Sequence, residues 1–401
     1  MHSLKSKREQ SAQQRAELRG RSHIGSSTML KLVAACTLMV PVLAQADLAH
    51  DWLAAKDVSA SHAVRFAGPK TELKYGHPSP PVSLFVPPTQ AAIARLEKIT
   101  NGKLIVHEYG SGSLFDAKGG FKAVRSGVGD WGTCYPTYEG RGMPLSRVWE
   151  LPYVTPSNPM VAVRIAQELA PKYFAPEFKK QGTVWGMHMA FAPSNLLSKK
   201  PIRSVQDLAG LKVAAQGFSP EVAKALGIAL VNLPYPELYS ALQQGVIDAV
   251  FWMDAGFVPY RLAEVAKYYT ALELTGGGAW TCYNPESYKH MPRELQEVFY
   301  RSLEPFAMAA TQVTQVDFAK KAQEAYKKLG VEIIKFSPQE QVKLHTMLKP
   351  VVEEWTVKLE KQGLPAKQLL SDIDRLSRKY EKLSPDELMR LSIEQPVAGI
   401  Q

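Results

Sequence analysis

Between residues 201 and 254 the chain alternates short continuous apolar runs with segments of helical period. Runs at 211–215, 228–233 and 246–252 predict strands, and the stretches 220–226 and 236–244 predict the helices between them. The helix ends carry their own signals. Ser219 can accept a hydrogen bond from an orphan amide, Pro220 suits the first helical position, and Glu221 complements the positive end of the dipole. Gly227 and Gly245 tolerate left-handed stops. Apolar strands joined by helices imply a parallel sheet covered on both faces. Such sheets bind ligands beyond the carboxyl ends of their strands, here near 214–217, 234–235 and 252–254.

The same alternation runs through the flanking chain. Strands are predicted at 72–75, 103–109, 130–135, 183–191 and 195–199, with helices at 89–99, 118–126, 160–170 and 176–180. After 258–267 and the run 268–274, the glycines 276–278 precede a segment, 280–284, which the family resemblance described below implies crosses back to the first lobe. Residues 292–329 read as long helix, followed by a strand at 331–336 and helices at 339–362 and 366–383. The fold class is therefore α/β, with mostly parallel sheets and flanking helices. The alternation by itself gives no lobes; with the family resemblance described below, which implies two of them, the expected division is a leader at 1–46, a flexible lead-in at 47–70, one lobe at 71–192, a second at 193–283, and long helices with a return strand packing on the first lobe at 284–401.

Composition narrows the setting. At 401 residues, 45% hydrophobic and 21% charged, the chain can bury one large or two medium cores. Residues 30–46 form an apolar run that follows a basic leader and ends in Ala44-Gln45-Ala46, a signal-peptidase pattern that predicts export to the periplasm and Asp47 as the mature start. The run is short for a membrane span and contains Pro41. Met29 is an alternative first residue. Residues 1–46 hold seven bases and two acids, so their removal lowers the formal charge from +10 to +5. No basic run interleaved with aromatics remains, which argues against nucleic-acid binding. Cys134 and Cys282 stay in the mature chain, either as a bridge that an oxidising compartment permits or as two buried thiols.

Four stretches together carry a resemblance. The order K-P-I, D-L-A-G-L-K-V, then Y-S-A-L-Q-Q-G-V-I-D-A in residues 200–249 is similar to the solute-binding subunits of tripartite ATP-independent periplasmic (TRAP) transporters. The segments 124–132, 150–154 and 288–299 agree in order and approximate spacing, and the resemblance covers roughly 73–363. It implies a two-lobed binding protein that hands a small organic solute to membrane permease subunits, without catalysis or cofactor, as a monomer or a homodimer. It also implies an arginine at the end of the L-K-V strand, forked onto a ligand carboxylate. This chain has Ala214 there.

The residues matched to the ligand are His77, Tyr135, Tyr235 and Trp252, with Asp116, Gln216 and Gly217 as weaker members beside Ala214. For each aromatic taken alone core packing is the commoner reading, and for His77 an exposed turn residue is an equal one. Their coincidence with strand ends instead points to a cleft walled by rings, suited to an aromatic or largely apolar solute. Gln216 and Asp254 are the only oxygens offered to a metal-assisted carboxylate site. Asp248 reads as structural and Arg203 as a surface residue. The spelling G-x-G-x-x-G at 127–132 follows a helix and enters a strand, the wrong context for a phosphate loop. No nucleophile elbow, H-E-x-x-H, P-loop or C-x-x-C is present. An ABC-type or sensor-linked binding module, or less readily a secreted hydrolase, remain the alternatives.

Overall fold

The structure, a computed structural model, describes residues 47–56, 66–140, 142–215 and 219–399. The expected leader and the weaker site residues Gln216 and Gly217 lie outside the described residues. In the first lobe, β1 (Thr71–Gly76), β2 (Leu104–Tyr109), β3 (Trp131–Thr133) and β4 (Val184–Ala190) are built from the predicted apolar runs. In the second, β5 (Asn195–Ser198), β6 (Lys212–Ala215), β7 (Ala229–Leu230), β8 (Ala249–Trp252) and β9 (Tyr268–Ala271) follow in turn. β10 (Gly278–Tyr283) and β11 (Glu332–Lys335) complete the strands among the described residues.

The first sheet has the order β2-β1-β3-β10-β4 and the second β11-β9-β5-β8-β6-β7. Each holds one strand that runs against its two neighbours: β10 is antiparallel to β3 and β4, and β5 to β8 and β9. These are the strands the chain makes immediately after crossing between lobes. Leaving one sheet at a carboxyl edge and entering the other from the facing edge reverses the strand direction. The mostly parallel α/β expectation holds, and the two exceptions mark the crossings.

The helix stops read from sequence are found where the chain needs them. Ser219 accepts from Val222 N at 3.2 Å, and Gly227 and Gly245 take φ of 67° and 77°, values that disfavour other residues. Asp248 Oδ2 accepts from Lys212 N at 2.9 Å, a structural contact that holds β6 beside β8. Arg203 pairs on the surface with Glu332.

Three boundaries differ from the sequence-based division. β10 already belongs to the first sheet, so the segment 193–283 gives the second sheet only β5 to β9. β11 pairs in parallel with β9 and so joins the second lobe, not the first. Its neighbour Phe336, with Leu344, Leu348 and Val351 of the helix Pro338–Lys361, fills the second lobe's core against Val213 and Phe251. The edge of β9 was open to pairing, and no local signal names the sheet a strand will join. Finally, Leu48–Leu53 is a helix whose Ala49 and Trp52 are buried in the first-lobe core, with the Arg95 guanidinium 4.5 Å from the Trp52 ring. Six residues are too few to show a period, so this packing is invisible in sequence.

The long helical segment is real and links both cores. Arg293–Thr311 packs in the first lobe, Gln312–Asp317 is π-helical, and Phe318–Lys328 places Ala322 and Tyr326 in the second. The helix Ala366–Tyr380 returns to the first lobe through Leu369, Ile373, Leu376 and Tyr380, one helical stripe.

Beneath these helices Arg164 meets Glu304 at 2.7 Å, both nearly fully buried. Burial pushes the Glu304 carboxyl up to about 7, with Arg164 pulling the other way. A raised folded pKa contributes stability present below the ordinary carboxyl range, and that contribution is lost as pH rises through the folded value. Arg164→Met should therefore lower stability by about 3–5 kcal/mol at pH 8. It should cost less at pH 5, where Glu304 is protonated; urea unfolding at both pH values measures the difference.

Candidate functional site

Two chain segments cross between the lobes side by side. Phe191 N donates to Gly277 O at 3.3 Å, Ser194 N to Thr275 O at 2.8 Å, and Leu274 N to Ser194 O at 3.1 Å. Ser194 Oγ adds a contact to Thr275 O at 2.9 Å, and Asn195 Oδ1 accepts from Leu272 N and Glu273 N. The π-helical turn joins them, with Gln315 Oε1 accepting from Ala192 N at 3.0 Å.

Against this hinge lies a cavity of about 80 Å3 walled by both lobes. Tyr135, Pro136, Thr137 and Tyr138 come from the loop after β3, and Trp149 and Glu150 from the following turn. Tyr235, Trp252 and Met253 come from the second lobe, and Phe191, Ala192, Ser194 and Gly276, Gly277 and Gly278 from the crossings themselves. No Lys, Arg or His of the described residues lines it.

Local structure explains how each ring is aimed. The Cys134–Cys282 disulfide, with Cα atoms 5.7 Å apart, and the bond from Cys134 N to Trp280 O tie the end of β3 to β10 just before Tyr135. The bridge closes a loop of 148 residues, a constraint on the unfolded chain worth on the order of 2–4 kcal/mol. Pro136 then opens a 3-10 turn that brings Tyr138 back against Tyr135, ring centres 6.1 Å apart and edge to face. In the second lobe Trp252 stacks on Tyr235 at 4.8 Å and 16°, and Tyr260 closes on both at 5.1 and 6.1 Å. A Cβ on Gly256 would fall 2.2 Å from the Trp252 ring, so the bare backbone makes room for the indole.

Burial pushes the phenols of Tyr135 and Tyr235 far above their ordinary range, and Tyr138 and Tyr260 upward too. Tyr135 and Tyr235 each feel Tyr138 and Tyr260, which places four hydroxyls from two lobes within each other's fields. All four stay neutral over the physiological range.

Glu150 divides this cavity from a second one of about 320 Å3 that also holds Arg147, Glu221, Glu354 and Lys358. Arg147 donates through Nε and Nη2 to Glu150 Oε2 at 2.9 and 2.8 Å. Burial raises the Glu150 carboxyl against the opposing pull of Arg147. Burial would by itself lower Arg147, but Glu150 more than offsets it.

Of the residues singled out from sequence, the cavity brings together Tyr135, Tyr235 and Trp252. Three others are elsewhere. His77 is buried at the end of β1 and held by Glu108 on β2, Nε2 to Oε1 at 2.8 Å, so it is neither an exposed turn residue nor a cavity residue. Asp116 is exposed and accepts from Lys118 N and Gly119 N at 3.1 and 2.7 Å, turning the chain into the helix Gly120–Arg125. Ala214 is buried in the second-lobe core and does not line the cavity. It pairs with Val250 and shares a sheet face with Val250 and Trp252, where the stacked rings lie. Asp254 accepts from Tyr326 at 2.8 Å on the second-lobe side. Among the described residues the cluster with metal-ligand spacing is Asp47, His50 and Asp317, away from the cavity.

The sequence reading missed Tyr138, Trp149, Glu150, Phe191 and Tyr260. Tyr138 follows Tyr135 by one 3-10 turn, and Trp149-Glu150 opens the E-L-P-Y-V segment, so both had a usable signal. Beneath the floor, His188 stacks between Trp149 and Trp280 at 5.5 and 4.1 Å. Burial lowers its pKa to about 3, so it is neutral, and neither ring nitrogen makes a hydrogen bond of normal geometry, although the Gly277 backbone lies alongside.

Two α/β lobes, paired crossings and a ring-walled cavity on the hinge define the class of two-lobed binding proteins. The chain belongs to the bacterial extracellular solute-binding protein family 7 (DctP), whose model matches residues 90–358. Members of this kind are the periplasmic solute-binding proteins of TRAP transporters, a family of transport proteins rather than enzymes. A solute-binding protein of Albidiferax ferrireducens is 26% identical over 264 residues, 61% of this chain and 73% of its own length. A TRAP periplasmic solute-binding protein from Desulfovibrio salexigens, solved as an open complex, is 27% identical, with a TM-score of 0.71 over 79% of this chain and 98% of that one. A TRAP solute-binding protein from Rhodoferax ferrireducens, in complex with benzoate, is 21% identical with a TM-score of 0.70 over 78% and 99%.

A Cβ on Gly278 would meet His188 Nε2 at 2.0 Å and Met189 O at 2.6 Å, an imidazole held between two indoles and a backbone atom. Gly278→Ala should lower stability by about 1–3 kcal/mol. Its denaturant midpoint against the parent checks this, and an unchanged midpoint would mean that the crossing is not packed as described.

Proposed function

We propose that the chain captures a small, ring-bearing, largely apolar organic solute between its lobes and delivers it to TRAP membrane permease subunits. The observation that carries this reading is the meeting of Tyr135 from one lobe with Tyr235 and Trp252 from the other in a single cavity on the hinge. The cavity is smaller than the roughly 150 Å3 that admits a benzene-sized molecule, so entry needs the lobes to part. A solute that touches both walls then favours the closed population by its extra affinity for it. With alanine at position 214, the grip comes from ring faces rather than from a guanidinium fork on a carboxylate. Ring-bearing ligands in structural relatives, benzoate in one and 3-hydroxybenzoate in another, are consistent with a ring-sized cleft.

A thermal-shift screen of aromatic, aliphatic and carboxylate solutes tests the proposal. A ligand at a hundred times its dissociation constant should add about 2.7 kcal/mol of stability. That gain should vanish in Trp252→Ala. Aliphatic hits that bind equally well without the indole would rule out capture by ring faces.

A further inference from the structure

The polar side chains of the cavity wall divide into engaged acceptors and unengaged donors. Glu150 takes two bonds from Arg147 through Oε2 and one from Thr137, and the guanidinium balances its charge. Ser194 gives its hydroxyl to Thr275 O at 2.9 Å, and Ser146 gives its own to Glu177 Oε2 at 2.7 Å. The rings differ. Tyr135, Tyr138 and Tyr235 line the cavity, and none of their hydroxyls makes a hydrogen bond among the described residues. Burial holds all three phenols protonated, so each keeps an O–H to give. Trp149, in the same wall, adds a buried indole N–H without a partner, and an indole can only donate. Tyr235 feels both Tyr135 and Tyr138, so the unengaged hydroxyls of the two lobes meet in one space.

Donors enclosed among rings cost free energy until an acceptor meets them. A carbonyl or carboxylate oxygen brought in by the solute is such an acceptor. Resting on the ring capture proposed above, we propose that the solute carries an sp2 oxygen, carboxylate or carbonyl, beside its ring, received by the hydroxyls of Tyr135 and Tyr138 from one lobe and of Tyr235 from the other. These neutral donors do in this chain the work that a guanidinium at position 214 would do. An acceptor held from both lobes also favours closure, because the second set of bonds forms only when the cleft shuts. Selectivity follows from the kind of donor. A guanidinium favours an anion by its charge, whereas a hydroxyl binds an oxygen whether or not that oxygen is charged, and the anion more strongly.

Calorimetry on the full chain with benzoate, benzamide and toluene separates acceptor, charge and ring. Benzoate and benzamide should each bind at least roughly tenfold tighter than toluene and lie within about tenfold of one another. Tyr235→Phe, and separately Tyr135→Phe, keeps the ring and removes one donor. Each should weaken benzoate about tenfold and leave toluene within about twofold. The ranking on the parent protein decides the matter even if one variant folds poorly. Toluene binding as tightly as the other two, or benzoate unmoved by both phenylalanine substitutions, would overturn the hydroxyl contacts, and ring capture would still stand if Trp252→Ala abolished binding. Sensitivity to the phenylalanine substitutions without sensitivity to Trp252→Ala would remove the ring wall and keep the hydroxyls. No binding of any probe would overturn both.

Discussion

The hydrogen-bonded pairing of the two crossing segments is the constraint on which the rest of this structure depends. A sheet of parallel strands presents its ligand edge on one side only, and a second lobe can face that edge only if the chain leaves there. Residues 191–194 and 272–277 do so together, and each enters the opposite sheet as its single reversed strand. The cavity therefore lies against the one place where both lobes share backbone. The π-helical turn at Gln312–Asp317 sits at the same level and bonds to Ala192. Such turns leave backbone groups less tightly committed than an α-helix does, which suits a point where two bodies articulate.

Around that hinge, rigidity and plasticity are assigned to different materials. The floor is rigid: the disulfide, His188 between two indoles, and Gly278 packed against that imidazole leave no room to adjust. The walls are rings carried on short turns, Tyr135 and Tyr138 on one lobe and Tyr235, Trp252 and Tyr260 on the other. Aromatic side chains bury much area with few torsions, so a ring wall can be remade on closure at small entropic cost. Charge is kept to one side, in the Arg147–Glu150 pair between two cavities. Ring faces and a guanidinium fork differ in kind as ways to grip a solute, and one fold can carry either.

Much of the fold was written locally. The apolar runs, Ser219, Pro220, Gly227 and Gly245 specified strands and helix ends because caps and left-handed stops are decided within a few residues. Tyr135 and Trp252 were singled out for a related reason: they stand at or just past strand ends, which are legible wherever strands are, whereas Tyr235 lies five residues beyond the short β7 and opens a 3-10 turn. His77 stands at a strand end too, yet Glu108 on the neighbouring strand claims it, and a partner 31 residues away has no local signature. Ala214 shows the same limit, since the sequence states the missing guanidinium but not that stacked rings share its face.

By itself, then, the amino-acid sequence determined the α/β alternation, because periodicity and capping are properties of neighbours along the chain, and its motif order marked the family, whose resemblance implied the two lobes. Only the tertiary structure decided that Cys134 meets Cys282, that β11 joins the second sheet, that Ala49 and Trp52 are buried, and that Glu150 and aromatic rings from both lobes converge on the hinge. Those facts depend on which open edges and unfilled faces meet after folding. That is settled by packing between residues tens to hundreds of positions apart, where no local pattern reaches.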